Sequence, residues 1–259
     1  MRLAIVGASG RMGRAVVRLA REAGAEIVCA IGASDMGRDA GELAGVGAIG
    51  TSVTDSVGAL EHARAAVVID FSAPAVTLAL TPIAAAAKCA VVSGTTGLTD
   101  EGREALALAA KRVPVLWEPN MSLGVHTLSQ LVAQAVGLLA DWDIEIVETH
   151  HRAKIDAPSG TALRLAEVAQ RARADATRLV HGRQGKPGAR STGEIGMHAL
   201  RGGDVIGDHT VHLLGGAERI ELTHRATNRD VFAHGAVRSA MWIAGKPAGA
   251  YSLRDVLGL

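Results

Sequence analysis

Three glycines at intervals of three residues follow the first apolar run of the chain. In "LAIVGASGRMGRAVV", Gly7, Gly10 and Gly13 come after a strand-like run and extend across the start of a helix-like one. At such a turn the first glycine permits the tight bend, the second lets the backbone approach a pyrophosphate, and the third lets helix and strand pack closely. The phosphates would meet the helix N-terminus. The spacing predicts a dinucleotide-binding unit; the alternative is a glycine-rich turn without a ligand.

Short apolar runs alternate with helical stretches as far as residue 120. After "LAIVG" come a helix predicted from about Arg11 to Ala23, the run "EIVCAI" and a glycine-rich loop through Gly50. The runs "AAVVIDFS", "CAVVSGTTG" and "VPVLWEPN" follow, separated by two further helix-like stretches. Repeats of strand, helix and strand form parallel crossovers. We therefore predict the α/β class, with an N-terminal Rossmann-like, doubly wound parallel sheet.

The pattern changes beyond Asn120. A long helical stretch precedes the strand-like run "DIEIVETHH", the helix-like run "SGTALRLAEVAQRARA" (159–174), and three further strand-like runs. Short glycine-containing turns join those three runs, "EIGMHALRG", "DHTVHLLG" and "ERIELTHRA", so we expect them to be antiparallel. The segment 181–193 is rich in glycine and basic residues and is expected to be a mobile loop. These features predict a C-terminal α+β domain.

The carboxyl ends of the predicted parallel strands are where a doubly wound sheet binds its ligand. The segments "FSAP", "GTTG" and "EPNMS" lie at three of these ends, where small residues would let the backbone meet a nicotinamide; ordinary turn chemistry is the alternative. The second strand ends in Gly32 and Ala33, with Asp35 and Arg38 slightly beyond. Asp35 would favour NAD and Arg38 the 2′-phosphate of NADP, or both are solvated loop charges. The choice between NADH and NADPH stays open.

The segment "ETHHRAKIDAPSGTALRLAEVAQ" concentrates cations before an amphipathic helix. Ser159 is a plausible N-cap, so the amides of Gly160 and Thr161 would be among the unpaired donors that attract carboxylates. With Lys154 and the pair His150 and His151, the segment suits a small dicarboxylate; the alternative is a set of charges that caps and solubilises the junction. Neighbouring residues on a strand point to opposite faces, so the histidine pair is poorly arranged for a metal.

Proton transfer is the second chemistry that this segment offers. A histidine titrates near neutrality, a lysine can donate a proton to a developing anion, and Asp156 could orient either group. The histidines of the later strands are interpreted as ordinary sheet residues rather than metal ligands. These are His198, His209, His212 and His224.

Composition restricts the remaining function classes. With 27 basic and 26 acidic residues, nothing argues for wholesale attraction to nucleic acid or a membrane surface. Cys29 and Cys89 lie in apolar runs and are expected to be core residues. The chain shows no signal-peptide pattern and no apolar run of transmembrane length, which predicts a cytoplasmic protein.

The segment Glu145 to Ala162, "EIVETHHRAKIDAPSGTA", closely resembles the signature of the 4-hydroxy-tetrahydrodipicolinate reductase (dihydrodipicolinate reductase) family of bacterial lysine biosynthesis. Further similarities are "VGASGRMGR", "DAGELAG", "SGTTG", "PNMSLGV", "LRGGDVIGDHTV" and "HRATNRDVFAHGAVRSA", so the resemblance covers almost the whole chain. It implies roles for individual residues. His150 would be the proton donor and acceptor, Lys154 the second proton donor, and His151, Ser159, Gly160 and Thr161 substrate-binding residues. The implied cofactor contacts are Gly7, Ala8, Ser9, Gly10, Arg11, Met12, Gly94, Thr95, Thr96, Glu118, Pro119, Asn120 and Met121.

The resemblance also implies a domain plan and a reaction. Residues 1–122 and 230–259 would form the dinucleotide-binding domain, and residues 123–229 the domain for substrate binding and tetramerisation. The implied reaction is reduction of (2S,4S)-4-hydroxy-2,3,4,5-tetrahydrodipicolinate by NADH or NADPH to tetrahydrodipicolinate and water, in a homotetramer. The alternatives are a related two-domain amino-acid dehydrogenase and an NAD(P)-binding regulator without catalysis.

Overall fold

The computed structural model describes residues 1–173 and 178–259. Internal contacts divide the chain into two compact units. Unit 1 comprises Met1–Leu123 and Asp230–Leu259, and unit 2 comprises Gly124–Arg229. The last residue of the helix predicted at 159–174 lies outside the described residues.

The secondary-structure elements are numbered in chain order. The strands are β1 (Arg2–Val6), β2 (Glu26–Ile31), β3 (Val53–Thr54), β4 (Val67–Asp70), β5 (Ala90–Ser93), β6 (Pro114–Trp117), β7 (Asp143–His150), β8 (Arg178–His181), β9 (Glu194–Arg201), β10 (Gly207–Leu214), β11 (Arg219–Ala226) and β12 (Gly249–Tyr251). The helices are α1 (Arg11–Glu22), α2 (Ala40–Ala44), α3 (Leu60–Ala63), α4 (Pro74–Ala86), α5 (Asp100–Ala109), α6 (Leu123–Leu138), α7 (Gly160–Ala172), α8 (Asp230–Ile243) and α9 (Leu253–Leu257).

Unit 1 contains a seven-stranded sheet in the order β12, β6, β5, β4, β1, β2, β3. All its paired strands are parallel, which confirms the predicted doubly wound sheet. The short strands β3 and β12 and the short helices α2 and α3 were not predicted. The strands β3 and β12 have only two and three residues, too few for a readable periodicity, so they are defined only by the strands with which they pair.

Both faces of this sheet are covered by helices. Leu3 and Ile5 belong to a core that includes residues of α1 and α8, whereas Ala4 and Val6 belong to a second core with residues of α4 and α5. Burial on both faces explains why β1 is apolar at successive positions rather than at alternate ones.

The two cysteines lie in the core of unit 1, as predicted. Burial raises the pKa of Cys29 to about 11 and that of Cys89 to about 12. Both side chains are therefore neutral thiols at physiological pH, which suits packing rather than nucleophilic chemistry.

Unit 2 contains a five-stranded sheet in the order β11, β10, β7, β9, β8. β10 is antiparallel to β7 and β11, as predicted for these two runs, but β9 is parallel to β7 and β8. The expectation of three antiparallel strands was therefore wrong for β9. The turn between β9 and β10 does not join neighbouring strands, because β7 lies between them; β8, which was not predicted, is the edge strand beside β9.

Every second side chain along β7 is buried. Ile144 and Ile146 pack into a core formed with α6 and α7. Glu148 and His150 continue the same buried face toward the end of the strand. The strand thus passes from an apolar core to two buried ionisable side chains. Within the residues described, no helix has the length and apolarity required to span a membrane.

Candidate active site

The glycine turn (residues 7–13) has a backbone that side chains would disrupt. Gly7 has φ of +83°, and a Cβ atom there would lie 2.3 Å from the carbonyl oxygen of Phe71. A Cβ atom on Gly13 would lie 2.0 Å from the carbonyl oxygen of Gly7. The N-cap of α1 is Gly10, and no side chain of the described residues caps it. This end of α1 therefore presents backbone N–H groups to an anion, as a pyrophosphate requires.

The remaining residues of the glycine turn differ in exposure. Ala8 is buried, whereas Arg11 is exposed. Ser9 Oγ accepts a hydrogen bond from the backbone N–H of Ser34, and a Cβ atom on Gly32 would lie 2.6 Å from this oxygen. A glycine is therefore required at position 32, because Ser9 occupies the space that a larger side chain would need.

A cavity of about 290 Å³ lies in unit 1 at the carboxyl ends of β4, β5 and β6. Its lining consists of Met12, Phe71, Ser72, Gly94, Thr95, Thr96, Pro119, Met121 and Phe232. Six of these residues were predicted as cofactor contacts, and Phe232 was missed because it comes from α8, far away in sequence. Glu118 and Asn120 lie on the same segment as Pro119, but they are not part of this lining. Apolar and aromatic walls with a few hydroxyl groups suit a nicotinamide ring.

Asp70 fixes the loops around this cavity. Its buried carboxylate accepts hydrogen bonds from Thr77 Oγ1 at 2.6 Å, Ser93 Oγ at 2.9 Å and Thr95 Oγ1 at 3.0 Å. It also accepts bonds from the backbone N–H and the hydroxyl of Ser72. Two of these partners, Ser72 and Thr95, line the cavity. The only signal for this role in the sequence is an aspartate at the end of an apolar strand.

The charges after β2 form an ion-paired group. Asp35, with φ of +62°, accepts hydrogen bonds from Ser34 Oγ, from Arg38 Nη1 at 3.1 Å and from Arg14 Nη2 at 3.1 Å. The hydrogen bond from Ser34 and those from the two arginines lower the pKa of Asp35. Asp35 is thus bound to α1 through Arg14 and is not a freely solvated loop charge.

His150 lies in the cationic loop (residues 148–161) of unit 2 with only 8% of its surface exposed. Its Nδ1 atom is 2.5 Å from Oε2 of Glu148, which is 1% exposed. Arg201 from β9 donates to both oxygens of Glu148 at 2.8 Å. Neither Glu148 nor Arg201 was predicted as a site residue. The sheet register brings them here, because His150 is paired with Arg201 on the neighbouring strand.

Ser159 is the N-cap of α7, as predicted. Its Oγ atom accepts a hydrogen bond from the backbone N–H of Ala162 and lies 3.0 Å from Nε2 of His209. Gly160 and Thr161 form the first turn of this helix. A helix N-terminus carries partial positive charge, which favours a bound carboxylate.

His209, on β10, is a second buried histidine beside the cationic loop. Its interpretation as an ordinary sheet residue was incomplete. Its ring is 5.2 Å from that of His150 in an edge-to-face arrangement. Burial, helped by the neighbouring His150, lowers the pKa of His209 to about 4. The signal for this residue is the register, since His209 is opposite Glu148.

Lys154 lies beside Asp156, with Nζ at 2.7 Å and 2.9 Å from the two carboxylate oxygens. The hydrogen bond from Lys154 lowers the pKa of Asp156. Asp156 thus orients the lysine rather than a histidine. His151 is partly exposed, and its Nε2 atom is 3.4 Å from Nη2 of Arg229.

Comparison with known proteins covers both units. Residues 1–121 match the family model described as "Dihydrodipicolinate reductase, N-terminus", and residues 124–257 match that described as "Dihydrodipicolinate reductase, C-terminus". The chain is 50% identical over 263 residues to 4-hydroxy-tetrahydrodipicolinate reductase of Anaeromyxobacter sp. (strain Fw109-5), covering 98% of this chain and 97% of the relative. It is 47% identical over 262 residues to the enzyme of the same name from Archaeoglobus fulgidus, covering 99% and 100%.

Solved structures share the fold. Dipicolinate-bound dihydrodipicolinate reductase from Paenisporosarcina sp. TG-14 superposes with a TM-score of 0.77 at 24% identity, covering 97% of each chain. An amine dehydrogenase from Mycobacterium smegmatis gives a TM-score of 0.61 at 14% identity, covering 98% of this chain and 95% of the other.

Proposed function

The chain belongs to the dihydrodipicolinate reductase family, and from this premise we propose how its residues perform the family reaction. Its function is the NAD(P)H-dependent reduction of 4-hydroxy-tetrahydrodipicolinate in the diaminopimelate route of lysine biosynthesis. The reaction consumes one hydride and one proton and releases one water molecule. The observation that carries the residue assignment is His150, buried beside Glu148 and close to the capped N-terminus of α7.

Unit 1 is proposed as the dinucleotide-binding domain. The turn from Gly7 to Met12 would hold the pyrophosphate, because its glycines leave the backbone N–H groups of α1 accessible. The cavity with Gly94, Thr95, Thr96, Pro119 and Met121 in its wall would hold the nicotinamide. When bound, the cofactor supplies the hydride. Glu118 and Asn120 remain proposed contacts on the same segment.

Unit 2 is proposed as the substrate-binding domain. A substrate with two carboxylates would find partial positive charge at the N-terminus of α7, with Ser159, Gly160 and Thr161 as binding residues. His151, beside the guanidinium of Arg229, would add a further polar contact. The related enzyme from Paenisporosarcina sp. TG-14 binds dipicolinate, which supports a small cyclic dicarboxylate as the substrate class here.

Two side chains of the cationic loop are proposed to move protons. His150 would donate and accept a proton at the ring atom next to the carbon that receives hydride. Lys154, which is 20% exposed and oriented by Asp156, would act as the second proton donor. The buried imidazole of His150 and the partly exposed ammonium of Lys154 would thus act as proton donors at two different positions.

We also propose a homotetramer assembled through the sheet of unit 2. The edge strand β11 exposes Arg219, Ile220 and Glu221, so this edge has surface available for another subunit. Light scattering of the purified chain tests the assembly: a mass of four chains supports the proposal, and a monomeric mass contradicts it.

The reaction itself is tested by a coupled assay. Dihydrodipicolinate synthase would generate the substrate from pyruvate and aspartate semialdehyde, and cofactor oxidation would be followed with NADH and NADPH separately. Oxidation should require the complete coupled system. Oxidation with aspartate semialdehyde alone would instead indicate an amino-acid dehydrogenase, and cofactor binding without turnover would indicate a regulator.

A further inference from the structure

Glu148 is surrounded by hydrogen-bond donors. Its Oε2 atom receives hydrogen bonds from Nη1 of Arg201 and contacts Nδ1 of His150, and its Oε1 atom receives bonds from Nη2 of Arg201 and from the backbone N–H of Ser159. An ionised carboxylate has about four lone-pair positions. The four contacts from described residues therefore occupy about all the acceptor positions of the Glu148 carboxylate.

This arrangement determines which nitrogen of His150 carries hydrogen. The guanidinium and the backbone amide can only donate, so neither can accept a proton from Glu148. Burial opposes the ionisation of Glu148, but the hydrogen bonds from Arg201, His150 and Ser159 outweigh it and lower its pKa. Glu148 is thus a carboxylate, and Nδ1 of His150 donates to it. Nε2 is left as the nitrogen that exchanges protons with a ligand.

The surroundings of Nε2 suit this role. Gly207, at the start of β10, faces it: a Cβ atom there would lie 2.9 Å from Nε2, so a side chain would crowd the nitrogen. The ionisable groups around the ring are Glu148 from its own strand, Arg201 from β9 and His209 from β10, with Lys154 on the following loop. Burial lowers the pKa of His209 to about 4, so its ring is neutral above that pH.

We propose that Glu148, held by Arg201, is a positioning residue that fixes the tautomer and orientation of His150. The proposal rests on the proton-transfer role proposed for His150. Arg201 also donates to the backbone oxygen of Asp156, the residue that orients Lys154. One guanidinium therefore connects the supports of both proton-transferring side chains.

A purely structural role for Glu148 is the competing explanation, because its bonds join β7 to β9 and to the start of α7. The two roles differ in what they change. A structural brace affects stability whether or not His150 is present, whereas a positioning residue changes kcat only when His150 is present.

The test compares Glu148→Gln, His150→Gln and the double variant with the unaltered enzyme in the coupled assay. Glutamine has the same shape as glutamate, but its NH2 group donates hydrogen bonds. At either oxygen position of Glu148 this group would face another donor, so the substitution should favour the wrong tautomer of His150. We expect kcat to fall about ten- to a hundredfold, with a smaller change in KM.

The double variant provides the discriminating comparison. In the His150→Gln background, Glu148→Gln should lower kcat by less than about twofold, since its effect passes through the missing imidazole. Glu145→Gln is the matched control. Glu145 also lies on β7 and also accepts hydrogen bonds from arginines, but none of its described hydrogen bonds is with His150. It should leave kcat nearly unchanged.

Arg201→Lys provides a second variant if Glu148→Gln does not fold. It keeps the charge but loses the paired hydrogen bonds to Glu148, so a smaller loss of kcat is expected. Equal losses of kcat from Glu148→Gln in both backgrounds would overturn the positioning role alone. Absence of turnover in the unaltered chain would overturn the proposed function as well.

Discussion

The glycine turn of unit 1 and the cationic loop of unit 2 are built in different ways. The glycine turn depends on backbone geometry, with Gly7 and Gly13 leaving no space for a Cβ atom. The cationic loop depends on side chains: Glu148 connects His150, Arg201 and the N-cap of α7. A backbone site is encoded by local spacing, whereas a side-chain network is assembled by the register of strands distant in sequence.

The largest expected effect comes from removing the proton-transferring groups of the cationic loop. His150→Gln or Lys154→Ala should each lower kcat by roughly two to four orders of magnitude, the scale of lost acid-base help. NADH affinity should be nearly unchanged, because the proposed cofactor contacts lie in unit 1. Steady-state kinetics and fluorescence titration with NADH measure the two quantities. Normal turnover in both variants would contradict the assigned roles.

A substitution in the glycine turn should have the opposite selectivity and weaken NADH binding. Gly13→Ala would place a Cβ atom 2.0 Å from the carbonyl oxygen of Gly7, and backbone atoms must then move. Overpacking of this kind costs about 1–3 kcal/mol of unfolding free energy. We expect NADH affinity to fall about tenfold or more, the equivalent of about 1.4 kcal/mol. Urea unfolding and NADH titration provide the measurements.

Two controls grade this prediction. A Cβ atom on Gly10 would be 3.2 Å from the same oxygen, so Gly10→Ala should have a smaller effect on stability. Gly216 has no atom within 4 Å of a Cβ position, and Gly216→Ala should be nearly neutral. Equal behaviour of all three variants would show that backbone crowding does not explain the glycines.

Acid should test a second side-chain network on β7, the one centred on Glu145. Burial opposes the ionisation of Glu145, but hydrogen bonds from Arg183, His198 and Arg190 lower its pKa to about 2. A lowered carboxyl pKa contributes stability that is present above about pH 4.5 and is lost as the pH falls toward 2. The contribution is at most roughly 3 kcal/mol.

Glu145→Gln should therefore flatten the dependence of unfolding temperature on pH between about 4.5 and 2. Calorimetry at several pH values measures this slope. Glu221→Gln is the control, because Glu221 is 47% exposed in its ion pairs and contributes little. A slope that is unchanged in Glu145→Gln would disprove the contribution of this cluster.

The sequence predicted the glycine turn because its chemistry is local. It also predicted the cap at Ser159, and it named Asp156 as a group that could orient either a histidine or Lys154, of which the structure shows the lysine. It did not predict Arg201 or His209, which cross-strand pairing places opposite His150 and Glu148. The parallel direction of β9 was missed for the same reason, since strand neighbours depend on the whole sheet.

The smallest expected effect concerns cofactor preference at the end of β2. Asp35 neutralises Arg14 and Arg38, both of which donate to its carboxylate. Asp35→Ala would free two guanidinium groups that can pair with a phosphate. We expect the ratio of kcat/KM for NADPH over NADH to rise, by no more than about tenfold because exposed ion pairs are weak.

Arg38→Ala in the Asp35→Ala background separates this explanation from a simple loss of ribose contacts. If freed guanidinium groups attract the 2′-phosphate, the second substitution should reverse part of the gain with NADPH while leaving kcat/KM for NADH unaltered. If Asp35 instead binds the ribose hydroxyls directly, Asp35→Ala should weaken NADH alone, and Arg38→Ala should not restore the ratio. High salt should reduce the NADPH gain only in the first case, since exposed charge pairs are screened.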